Sequence, residues 1–94
     1  MSETIVMLLD SEDHVQRIRT IIEDVITLLD SKYSVASHLL LPVRIREHGI
    51  FGQIAIDWRS FTMTITNELL QSEDAVNVIA NLVWLKMEKR KLTS

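Results

Sequence analysis

The chain has 94 residues, enough for one domain and too few for two, and 47% of them are hydrophobic. With 2 glycines and 1 proline there is no composition for a long linker, and with no cysteine there is no disulfide, no thiolate nucleophile and no Cys-type zinc site. The formal net charge of -3 gives no strong electrostatic footprint for a nucleic-acid partner, which usually needs a dense basic patch.

The run Thr4 to Leu9 is apolar and short, and it reads either as an edge strand or as the leading turn of a helix. Asp10, Glu12 and Asp13 follow it directly, which does not fit a secretory leader, and no apolar run approaches the roughly 20 residues of a membrane span. A soluble, cytoplasmic protein is expected.

A first helix then opens at Ser11, a good N-cap, with Glu12 and Asp13 where the helix dipole favours negative charge. Val15, Ile18, Ile22, Val25 and Leu29 recur at three- and four-residue spacing and so share one face. Asp30 and Ser31 mark the exit. Tyr33 to Leu41 reads as a further strand or a short helix stopped by Pro42.

Val43 to Glu47, Ile54 to Trp58 and Phe61 to Thr66 alternate apolar and polar residues, with Gly49 and Gly52 supplying turn conformations between the first two. This pattern predicts a three-stranded antiparallel meander. Val43, Ile45, Ile54, Ile56, Trp58, Phe61, Met63 and Ile65 are expected to face the helices. Arg44, Arg46, Gln53, Asp57, Thr62, Thr64 and Thr66 are expected to face outward. Ile54, Trp58, Phe61, Ile65 and Leu69 also fit a helical stripe, which makes an all-α bundle with a helix over residues 53–71 the rival reading.

A second helix is predicted from Ser72, or from Asn67, to the cationic end Lys86, Lys89, Arg90 and Lys91. Only Asn77 and Asn81 interrupt its apolar centre, and a helix apolar all round is buried on several sides. The phrase Leu-Leu-x-Ser-Glu-Asp-x-Val-x-x-Ile occurs at Leu8 to Ile18 and again at Leu69 to Ile79. It is read as repeated helix-start chemistry and not as a duplication.

The fold class expected is therefore α+β, a single domain over residues 1–94 with two amphipathic helices on one face of a small antiparallel meander. So much aliphatic content in so short a chain also points to a homodimer, with Val76, Ile79, Val83 and Trp84 of the second helix as its interface.

No set of residues in the sequence resembles a catalytic, metal-binding or phosphate-cradling constellation, and neither cofactor nor metal is expected. His14, beside Glu12 and Asp13, reads as an exposed first-turn residue, and His38, in an apolar run, as an interior or interface histidine. Arg44 and Arg46 on the outward face, Arg59 in the next turn and Trp84 on the second helix are the residue types that carry interface energy. They are assigned as partner-binding residues, with Trp84 equally suited to packing inside the monomer. The function expected is stoichiometric, non-enzymatic binding to another protein, as inhibitor, adaptor or chaperone-like subunit, of the kind phages and other mobile elements carry. The alternatives are a nucleic-acid-binding regulator using Arg44, Arg46 and Arg59, and a small acid-base enzyme around His48.

Overall fold

The three alternating runs form strands, because each offers β-branched and apolar residues to one side and polar ones to the other. The computed structural model describes residues 5–8, 12–47 and 52–93, apart from the side chains of residues 12–14 and 90–93. Strand β1 (Ile5–Leu8) is followed by helix α1 (Glu12–Tyr33), β2 (Val43–Glu47), β3 (Gln53–Asp57), β4 (Thr62–Thr66), the one-turn helix α2 (Asn67–Leu70) and helix α3 (Ala75–Thr93). The α+β class is as expected, and a helix across residues 53–71 is ruled out by β3 and β4.

The sheet order is β1-β2-β3-β4. The meander pairs antiparallel, with Ile45 opposite Ile56 and Ile56 opposite Met63. Strand β1 enlarges the expected three strands to four and makes the sheet mixed, since it pairs parallel with β2. Parallel neighbours need a crossover of a dozen or more residues, and α1 supplies it. Met7, Ile45, Ile56 and Met63 consequently form one row across all four strands.

Both long helices cover the same side of this sheet. Ile18, Ile22, Val25 and Leu29 of α1 are buried with Ile79, Ala80 and Val83 of α3 over the apolar sheet face. The strand residues assigned to that face lie there, with Val43, Ile45 and Ile56 fully buried and Phe61 half-buried at the margin. Trp58 closes one end, donating from Nε1 to the Met63 Sδ at 3.2 Å.

Tyr33 ends α1, because Ser34 takes a left-handed φ of 56° and turns the chain out of the helix. The Val35 amide then donates back to the Leu29 carbonyl at 3.1 Å. The following segment holds a short 3-10 helix at Ser37–Leu39 ahead of Pro42, the helical of the two readings and not the strand. His38 is exposed there, which corrects the interior one of the two positions, interior or interface, expected from its apolar neighbours. Arg59 pins this loop, its amide donating to the Leu40 carbonyl at 3.0 Å and its Nη1 to the Leu41 carbonyl at 3.2 Å.

The start of α3 also differs from expectation. Thr66 caps the single turn α2 by accepting from the Leu69 amide at 3.1 Å, and the chain breaks at residues 71–74 before helix resumes. Ser72 Oγ accepts from the Asp74 amide at 3.2 Å, and the Asp74 carbonyl accepts the first helical bond, from Val78, at 2.9 Å. A serine that satisfies a backbone amide two residues on favours a turn over a helix. Glu73 and Asp74 thus precede α3 instead of forming its first turn.

Because the core is a single layer between sheet and helices, Ile56→Ala should cost about 2–5 kcal/mol. Leu39→Ala, at a position 46% exposed, should change stability by no more than about 0.5 kcal/mol. Urea unfolding followed by tryptophan fluorescence checks both.

Candidate interaction surface

With the helices on one side, the opposite sheet face is left open. The pairing brings Val6, Arg44, Asp57 and Thr62 into one cross-strand row and Leu8, Arg46, Ala55 and Thr64 into the next. All eight side chains share this face because residues alternate along each strand and pair in register. Arg44, Arg46, Thr62 and Thr64 are exposed, as is Leu8 at 46%. Ala55 alone is fully buried on this side, lying beneath larger neighbours.

Arg46 stands directly opposite Ala55 but reaches diagonally along β3 to Asp57. Its Nε donates to Asp57 Oδ2 at 2.8 Å and its Nη2 to Oδ1 at 3.3 Å, a two-point grip that suits the planar guanidinium. Thr62 Oγ1 adds a third donor at 2.9 Å to Oδ1. Arg44, the true cross-strand neighbour of Asp57, adds only its positive field.

These donors hold the Asp57 carboxyl below the usual value of 3.8, with the Arg46 hydrogen bond as the largest cause and partial burial opposing it. The Thr62 hydrogen bond and the charges of Arg46 and Arg44 lower it further. The same pair raises Arg46 above its ordinary range. Both groups are ionised at neutral pH, so this end of the face carries a nearly neutral, rigid patch beside the cationic Arg44.

The other residues assigned from the sequence do not join this face. Arg59 lies beyond the end of β3, and its guanidinium is engaged with the loop before β2. Trp84, half-buried on α3, stacks on Tyr33 with ring centroids 4.6 Å apart and planes 8° from parallel. Tyr33 Oη in turn donates to Asn81 Oδ1 at 2.6 Å, and the Lys32 ammonium sits 5.3 Å from the tyrosine ring centroid. The aromatic pair therefore fastens the end of α1 to α3. Ile79 and Val83, assigned to a dimer interface, are fully buried within the chain, and Val76 packs against the same core. A helix apolar on all sides gives no phase from which to tell its inner face. Among the described residues, the large apolar side chains that α3 exposes are Val78, Leu82 and Leu85.

Elsewhere, a shallow cleft of about 160 Å³ opens between α1 and the α2 turn, lined by Arg17, Ile18, Asn67, Leu70 and Gln71. Arg17 Nη2 is bound to the Leu70 carbonyl there at 3.2 Å. Ligand pockets run from about 300 Å³ upward, so this cleft is too small to enclose a cofactor. Among the described residues no polar or charged side chain is buried and no group of three His, Asp or Glu could hold a metal ion. His48 lies outside the described residues.

The linked carboxylate makes a pH prediction. Since its pKa is depressed in the folded state, the stability Asp57 contributes is in place above pH 3.8 and is lost as pH falls through the lower folded value. In a carboxyl carbon NMR titration the Asp57 midpoint should lie below 3.8. Arg46→Ala should raise that midpoint more than Arg44→Ala does.

No family model matches the chain, nor does any curated protein or solved structure.

Proposed function

We propose that this chain is a non-enzymatic interaction module that binds another protein stoichiometrically through the open sheet face. The observation that carries the reading is the composition of that face. It offers two exposed arginines, a threonine-rich edge strand, the exposed Leu8 and the half-buried Val6 of β1, all in register on one side of the sheet. Arginine beside apolar area is a common anchor of protein interfaces, and a preformed surface binds without an ordering cost. Arg44 and Arg46 make the contact in this reading. Arg59 supports the scaffold, and Trp84 serves the α1-α3 junction.

Inhibition of a larger protein, adaptor action or a chaperone-like role would all use such a surface, and chains of this size without cofactors suit antagonists of phage or mobile-element origin. Among the described residues no helix is long and apolar enough to cross a membrane. We assign the cytoplasm as its compartment, with which a chain that forms no disulfide is compatible. The abundance of exposed aliphatic residues on α3 adds self-association to the proposal.

The test is capture of partner proteins on immobilised protein, comparing wild type with the Arg44→Glu, Arg46→Glu double variant. A partner that binds wild type should bind the double variant at least about tenfold more weakly, with circular dichroism unchanged because exposed sheet residues tolerate exchange. Equal binding would remove the sheet face from the proposal. Binding to a random duplex or single-stranded oligonucleotide that falls steeply with added salt would favour the nucleic-acid reading instead. Loss of activity in His48→Ala alone would favour an enzyme.

A further inference from the structure

Helix α3 carries a second apolar seam that the monomer does not use. Val76, Ile79, Ala80, Val83 and Met87 turn inward, whereas Val78, Leu82 and Leu85 are 37%, 37% and 62% exposed. Their spacing of four and three residues places them in one line along the helix, the arrangement of a coiled-coil seam. Lys89, four residues after Leu85, continues the line as its basic end, and Asp74, in the turn that leads into the helix four residues before Val78, lies at its acidic end; both are exposed.

This line matches its own reversal. Val78 and Leu85 sit equally far on either side of the Asn81-Leu82 pair, and so do Asp74 and Lys89. A second copy laid antiparallel along it sets Val78 against Leu85, places the two Leu82 side chains together at the centre, and sets Asp74 against Lys89 at both ends. A parallel copy would instead set Asp74 against Asp74 and Lys89 against Lys89. Antiparallel helices also oppose their dipoles favourably. An isologous contact of this kind closes after two copies, leaving no seam for a third.

We propose that two copies of the chain associate through this seam, with the α3 helices antiparallel about a twofold axis. The inference rests on the self-association reading above and names its surface and direction. It leaves the open sheet faces uncovered, so a dimer would present two partner sites.

Because the chain contains no cysteine, single introduced cysteines report on direction. Antiparallel packing offsets the two Leu82 positions by only about one residue rise, roughly 1.5 Å. It separates the two Val78 positions by roughly 10 Å along the axis, beyond the ~7 Å between Cα atoms that a disulfide spans. Under mild oxidation Leu82→Cys should cross-link and Val78→Cys alone should not. A mixture of Val78→Cys and Leu85→Cys proteins should give the mixed cross-link. In sedimentation equilibrium, wild type should reach the dimer mass and Leu82→Glu should remain monomeric with an unchanged circular dichroism spectrum. A wild-type monomer at every concentration would overturn self-association itself. A dimer in which Val78→Cys cross-links to itself, or which persists in folded Leu82→Glu, would overturn the antiparallel seam and leave self-association standing.

Discussion

The one constraint behind most features of this protein is that its sheet has helices on one side only. A four-stranded sheet needs its apolar face covered, and in a chain this short two helices of about 20 residues are the whole supply of cover. The apolar residues of β2 and β4 must then point one way, so β4 alternates strictly, β2 does so from Val43 to Arg46, and the opposite face carries arginines and threonines. Val6, Leu8 and Ala55 are the exceptions, and of these Ala55 is the buried one. It is small enough to lie beneath Arg46 without exposing apolar surface.

The wet face is nevertheless ordered. A solvated arginine on a flat strand would ordinarily sample many rotamers, but the grip of Arg46 on Asp57, joined by Thr62, ties β2, β3 and β4 together across their outer side. An exposed ion pair contributes little to stability in itself. Its effect is to present a fixed pattern of charge with Arg44 at its border, and a fixed pattern is what a partner surface can read without first ordering it.

Helix α3 carries a different tension. It must seal the core along one side and finish the α1 junction through Trp84 and Asn81, yet aliphatic residues also occupy its outer side. The monomer leaves Leu85 mostly in water and Leu82 in part, and their line ends in opposite charges. The two surfaces, seam and open sheet, lie on different layers of the same fold, so pairing of one need not obstruct the other.

The sequence by itself determined the local elements, since strand alternation and helical spacing depend only on which residues follow one another. The meander, the inward set from Val43 to Ile65 and the helical face Ile18, Ile22, Val25 and Leu29 were legible for that reason. What only tertiary structure decided are the relations between elements. Ile5–Leu8 became a parallel edge strand because β2 had a free edge and α1 could carry the crossover. Ile79 and Val83 went to the core and Leu82 to the surface because an all-round apolar helix has no preferred phase until a sheet and a second helix select one. Arg46 took Asp57 from its direct neighbour Arg44 because a long side chain can lean along the strand over an alanine, a choice that register alone does not make.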